Sequence, residues 1–174
     1  MYKSRLIFLF ICILFNIQSY ALSMQEQTEI LTAHNKIRDK FHLPNLKWSK
    51  SLEEKAQIWV NTLGSSFECK MFHSHMPDLG ENLYWASPFS YSNGKKEIQF
   101  VCPSKVVSAW GSEAQYYDYN SNCCASGKVC GHYTQLIWKN TIEVGCAKVI
   151  CDNKSQVWSC NYNPPGNYAS QKPY

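Results

Sequence analysis

Ile30, Ala33, Ile37 and Phe41 recur at three- and four-residue spacing, a single apolar stripe that predicts an amphipathic helix. Ser23 and Glu26 before it form a capping-box sequence, and Pro44 and Asn45 mark its end. A second stripe, Leu52, Ala56, Trp59 and Leu63, predicts another helix, opened by a capping box of Ser51 and Glu54 and closed at Gly64. The pattern then dissolves. Residues 64–88 read as irregular and polar, yet they hold Cys69, His73, His75, Glu81 and Trp85; a loop of that length in a compact domain is functional or tied down. Residues 87–99 read as an exposed connection with an Asn93-Gly94 turn. Pro103 suits the first turn of a third helix, whose buried face is Val106, Val107, Trp110, Ala114 and Tyr117, with Glu113 near its edge.

Residues 129–146, VCGHYTQLIWKNTIEVGC, are the densest part of the chain. Tyr133, Leu136 and Ile137 fall at helical spacing and can pack inward while His132 faces a cleft. Val144, Cys146, Lys148 and Ile150 are then separated from Val157, Ser159 and Asn161 by an Asp-Asn-Lys-Ser turn, which predicts a strand hairpin. The residues after Tyr162 are rich in Pro, Gly and Asn and predict no regular element. His34 and His42, in or near the first helix, read as solvent-facing. Helices and strands mixed without βαβ alternation make an α+β domain.

The first residues stand apart from this pattern. Lys3 and Arg5 precede a ten-residue apolar run, and Ser19 and Ala21 place small residues before a cleavage point. Residues 1–21 therefore read as a secretory leader; the run is too short to span a bilayer, and no second one approaches that length. Losing the leader removes two positive charges from a formal net of +4, a balance too mild to suggest nucleic acid. Of nine cysteines, only Cys12 lies in the leader. The remaining even set, in an exported chain, predicts disulfides and not a zinc cluster, because paired CxxC spacings are absent. Asn153-Lys154-Ser155 is an N-glycosylation sequon at the hairpin turn, with Asn153 as the candidate acceptor.

Taken in order, AHNKIR, LKW, FHS followed by GENLYW, AWGSEAQYYDYNSN, GKVCGHYTQLIWKN, VGCAKV and SCNYNPPGNY resemble the cysteine-rich secretory, antigen 5 and pathogenesis-related class 1 (CAP) family. The resemblance is closest to the plant pathogenesis-related branch. It implies a three-layer α-β-α sandwich with a small antiparallel sheet between helices, a domain over residues 22–163, and a tail over residues 164–174. It also implies a cleft tetrad of His73, Glu81, Glu113 and His132. Neutral imidazoles suit a divalent, zinc-like cation, with carboxylates ligating or orienting the rings from behind. Eight positions separate His73 from Glu81, more than in close plant relatives, and His75 competes for the ligand role; His73 carries the family's His-Ser pair.

The family's bridges map onto Cys69–Cys151, Cys124–Cys130 and Cys146–Cys160, and Cys102 and Cys123 would pair if all eight are oxidised. By the same resemblance the expected function is a monomeric, non-enzymatic, extracellular (apoplastic) plant defence protein with antimicrobial activity through a sterol or other lipid. The abundant aromatics, 11 Tyr, 8 Phe and 6 Trp, could line an apolar groove or fill the core. In plant members a defence-signalling peptide is cut after a CNYx junction, here Cys160, Asn161, Tyr162 and Asn163, which would involve a processing protease and a receptor. The alternative is a metal-dependent extracellular hydrolase with Glu81 or Glu113 as general base, although HExxH and GxSxG are absent.

Overall fold

Strand β9 (Gln156–Asn163) is buried from Gln156 to Tyr162 without interruption, the mark of a strand covered on both faces. The computed structural model describes residues 19–174 and shows what covers it. The leader expectation falls mainly on residues 1–18, outside the described residues. Elements in chain order are β1 (Ser19–Tyr20), α1 (Met24–Asp39), β2 (Lys47–Trp48), α2 (Lys50–Ser66), β3 (Gly80–Ala86), β4 (Phe89–Ser90) and β5 (Lys96–Glu97). They continue with α3 (Pro103–Gly111), a 3₁₀ turn (Ser112–Tyr116), β6 (Tyr117–Asp118), β7 (Cys123–Cys124), α4 (Gly131–Leu136), β8 (Glu143–Ile150) and β9.

The main sheet runs β1-β8-β9-β3, with β2 also on β8. Its core is the predicted hairpin: β8 and β9 pair antiparallel with Cys146 opposite Cys160, and β3 lies antiparallel on the other side of β9. Alternation along β9 assigns the two faces. Val157 joins Leu83, Ala147 and Val149 against Ala56, Val60 and Leu63 of α2. Trp158, Cys160 and Tyr162 join the larger core under α1, α3 and α4, with Ile30, Val106, Trp110, Leu136 and Ile137. The result is the three-layer sandwich, α2 on one side and three helices on the other. Each fully buried Val or Leu in these layers contributes roughly 1.5–3 kcal/mol.

Local details differ from the sequence reading in instructive ways. α1 starts with the Ser23–Glu26 capping box, both halves formed. α2 starts one residue before Ser51: Ser49 is its N-cap, without a side-chain bond, and Ser51–Glu54 does not cap it. Gly64 does not end α2 either. A Cβ there would lie 2.9 Å from Val149 Cγ2, so this glycine lets the helix lie close on β8. Strand β3 lies inside the stretch read as irregular, because GENLYWA lacks a clean two-residue alternation. α3 tightens into the 3₁₀ turn, leaving Ala114 exposed, not buried. His42 is exposed, but His34 is fully buried, which corrects its reading as solvent-facing.

Disulfides join Cys69 to Cys151, Cys124 to Cys130 and Cys146 to Cys160. Cys102 and Cys123 are free thiols, which corrects the expected fourth bridge. The reason is geometric. Cys102 caps the start of α3, whereas Cys123 pairs with Asp118, beyond the far end of the 3₁₀ turn. Nine α-helical residues alone span about 13 Å, and a disulfide needs Cα atoms within about 7 Å.

Candidate functional site: two histidine–glutamate pairs

Glu113 sits in the 3₁₀ turn after α3, which aims its carboxylate at the start of α4. Its Oε2 accepts from the backbone N–H of His132 at 3.0 Å and of Tyr133 at 3.1 Å, two of the donors that a helix start leaves unpaired. Its Oε1 lies 2.6 Å from His132 Nδ1. The imidazole also lies parallel to the Trp110 indole, centroids 6.3 Å apart, and Trp110 is held by its Nε1–H on the Leu83 carbonyl. His132 is thus fixed through main chain, ring nitrogen and ring face. With Nδ1–H on the carboxylate, Nε2 carries the free lone pair, and no described residue hydrogen-bonds to it.

The second pair is built on a loop. His73 Nδ1 lies 2.7 Å from Glu81 Oε1, which also accepts from the Ser74 N–H at 3.0 Å. Glu81 is nearly enclosed, at 7% side-chain exposure, while His73 is 53% exposed. The hydrogen bond to Glu81 raises the His73 pKa above its ordinary value, with burial opposing and the carboxylate's charge adding. It is His73 and not His75 that bonds to the glutamate; the centroid of the His75 ring lies 6.5 Å from that of His73. Cys69–Cys151 and a Trp59 Nε1–H bond to the Phe72 carbonyl tie this loop to β8 and α2.

The two pairs are anchored at consecutive residues of β3, which face opposite sides of the sheet. Glu81 holds His73, and Asn82 donates from Nδ2 to the His132 carbonyl at 3.1 Å. Asn82 also donates to the Tyr162 hydroxyl at 3.2 Å, and Tyr162 lies 2.9 Å from His34 Nε2. His34 Nδ1 faces the Ile30 carbonyl at 2.7 Å, so Nδ1 carries the proton and Nε2 accepts from Tyr162. Burial pushes the His34 pKa down to about 4 and the Tyr162 hydroxyl well up. A neutral, fully buried chain therefore runs from α1 to the His132 backbone.

The sequence reading missed this chain and missed Arg38, which is fully buried. Its guanidinium donates to the carbonyls of Pro44, Leu136, Trp138 and Thr141, fastening α1 to the exit of α4. A signal was present: Ile30, His34 and Arg38 repeat every four residues, a helix stripe hidden because two members are polar.

The structure holds these four residues as two separate pairs, His73 with Glu81 and His132 with Glu113. Among the described residues no group of three or more His, Cys, Asp or Glu side chains is placed to hold a metal ion. Among the described residues the Nε2 atoms of His73 and His132 have no hydrogen-bond partner, and two nitrogens are too few for a closed metal cage. At the other end of the chain, Cys160, Asn161 and Tyr162 are fully buried in β9, and only Asn163 is exposed. The tail beyond is docked. Thr134 donates to Asn167, Asn167 donates to the Gly131 carbonyl, and Gly166 N–H donates to Gln135. Lys139 N–H donates to the Pro173 carbonyl, and Tyr174 stacks on Tyr119. Asn153 is exposed at the β8–β9 turn.

The chain is similar to known plant proteins over most of its length. The chain is 42% identical to pathogenesis-related protein 1B of Nicotiana tabacum over 93% of its own length and 89% of that protein's. It is 36% identical to a pathogenesis-related protein PR-1 type of Sambucus nigra, over 89% and 86%. The solved structure of BmVAL-1 shares the fold, with a TM-score of 0.70 and 24% identity over 92% of this chain and 86% of that one. Residues 31–162 match the cysteine-rich secretory protein family. From the opening helix to the tyrosine of β9 that anchors the buried chain, this protein belongs to the cysteine-rich secretory protein (CAP) family.

Proposed function

We propose that this is an exported, defence-related protein of pathogenesis-related class 1 that acts by binding a lipid, a sterol being the expected ligand, and not by turnover. The relatives' names support the defence role. The observation that carries the lipid reading is an apolar ledge directly before His73. Phe67, Met71 and Phe72 are all exposed there, with the two phenylalanine rings 5.2 Å apart and Trp59 behind them. Exposed contiguous aromatics of this kind mark surfaces that meet apolar partners. Among the described residues no helix is long and apolar enough to cross a membrane.

The carboxylates support the non-catalytic reading. Glu113 accepts three bonds, two from main-chain amides, and Glu81 Oε1 accepts two. Oxygens so engaged orient imidazoles; a general base needs one within reach of a substrate proton. A divalent, zinc-like cation, where bound, would be held by the Nε2 atoms of His73 and His132 with the carboxylates behind them, and would supply a Lewis-acid centre.

Saturable binding of a fluorescent sterol by the purified mature chain, weakened in a Phe67→Ser, Phe72→Ser double variant, tests the lipid reading; no saturable binding overturns it. Amino-terminal sequencing of exported protein, expected to begin at Leu22, tests the leader. The precursor reading of the tail is compatible with lipid binding, and mass spectrometry for the fragment 164–174 in extracellular fluid tests it.

A further inference from the structure

On the face of the sheet that α2 covers, four polar atoms have no hydrogen-bond partner among the described residues: Glu81 Oε2, Ser159 Oγ, and both Oδ1 and Nδ2 of Asn161. Buried polar groups nearly always have partners, and here three side chains lack them side by side. Register explains their adjacency. Glu81 stands opposite Asn161 in the β3–β9 pair, and Leu83 stands opposite Ser159. Directly opposed residues share a face, as do residues two apart on a strand. Ser159 and Asn161 are fully buried, and Glu81 is nearly so.

The positions that β8 and α2 set against these residues are apolar or already paired, as with the Glu53 N–H on the Ser49 carbonyl. β8 places Gly145 opposite Asn161 and Ala147 opposite Ser159. A Cβ at Gly145 would lie 2.2 Å from the Glu53 nitrogen, so the first turn of α2 is pressed onto that position. Leu52, Ala56 and Val60 form the buried stripe of α2, and Glu53, also buried, is already engaged by Trp48 and Lys50. The polar side chain set opposite Asn161 on β3 is Glu81, whose other oxygen is committed to His73 and Ser74.

We propose that Glu81, Ser159 and Asn161 form a binding site for internal water, which clamps Glu81 Oε2 and so positions His73. The mixed chemistry of the orphans selects the ligand. Asn161 Nδ2 needs an acceptor, while Asn161 Oδ1 and Glu81 Oε2 need donors. A cation would satisfy the oxygens and meet the amide's N–H groups unfavourably; an anion would face Glu81. Water does both, and buried water characteristically makes about three bonds to groups left unpaired by the protein. With Oε1 held by the loop and Oε2 held through water, the carboxylate has one orientation, and the ring bonded to it inherits that orientation. Asn161 is thus a positioning residue, acting on a histidine of a distant loop through solvent. This is independent of lipid binding.

The test is an atomic-resolution crystal structure of the mature chain, together with Asn161→Leu and Asn161→Ser. The expected result is an ordered water within about 3 Å of Glu81 Oε2 and Asn161. An Asn161 amide bonded directly to Glu81, a dry site, or a metal ion there overturns the proposal. In solution, the proton shared by His73 Nδ1 and Glu81 should give a slowly exchanging, downfield NMR signal. That signal should be lost or broadened in Asn161→Leu and kept in Asn161→Ser, which leaves a hydroxyl and room for a further water; an unchanged signal in Asn161→Leu overturns the positioning role. If Asn161→Leu does not fold, Ser159→Ala and the wild-type crystal decide the matter.

Discussion

Glu113 holds His132 twice over, by the ring nitrogen and by the backbone N–H of the same residue. A carboxylate that caps a helix start and orients a side chain on its first turn makes the ring's position a property of the main chain. Glu113→Gln keeps the shape but weakens charge-assisted bonds. It should lower stability by about 1–2 kcal/mol and free the His132 ring. Thermal unfolding and the imidazole ¹⁵N spectrum check this; an unchanged melting temperature with an unchanged ring signal would remove the capping role.

Arg38 should matter more than any residue of the candidate tetrad. Arg38→Met keeps most of the aliphatic volume and strands four carbonyls that now receive guanidinium bonds. The expected loss is on the order of 3 kcal/mol, with Arg38→Lys intermediate because an ammonium cannot fork to all four. Denaturant midpoints at constant slope would measure it.

These two positions mark the boundary of what the chain discloses as a string of letters. The β8–β9 hairpin was legible because its side chains flank an obvious turn, and α1 and α2 because their apolar stripes recur. The family motifs named all four tetrad residues, but not that they close as two pairs. Arg38 and His34 were illegible because a periodicity scan counts apolar residues, and these are buried for their hydrogen bonds. Glu113 was placed on a helix, yet its aim depends on the tightening of that helix into a 3₁₀ turn. Gly64 shows the same limit: its meaning lies in how closely a strand passes, which no local pattern carries.

His34 gives the fold a defined pH response. Its folded pKa is depressed to about 4 by burial, below the ordinary value of 6.5. The unfolded chain therefore binds the extra proton first. Stability from the neutral ring is complete above about pH 6.5 and is lost as pH falls toward 4, by on the order of 3 kcal/mol. Urea midpoints between pH 7 and 4 should fall for the wild type and fall less for His34→Gln. Equal slopes would show that the ring does not stay neutral.

The free thiols are directly countable. Cys123 is exposed and Cys102 partly buried. An aromatic disulfide reagent should therefore label Cys123 quickly in the native protein and Cys102 slowly, with both labelled after unfolding without reductant. Absence of labelling in the unfolded, unreduced chain would restore the fourth bridge.

The burial of Asn161 and Tyr162 gives the tail a meaning of its own. A protease gripping the residues on either side of Asn163 must first peel the middle strand away from both neighbours. Scission would then wait on fraying of the sandwich, and the liberated fragment would keep time by the lifetime of the folded body that carries it.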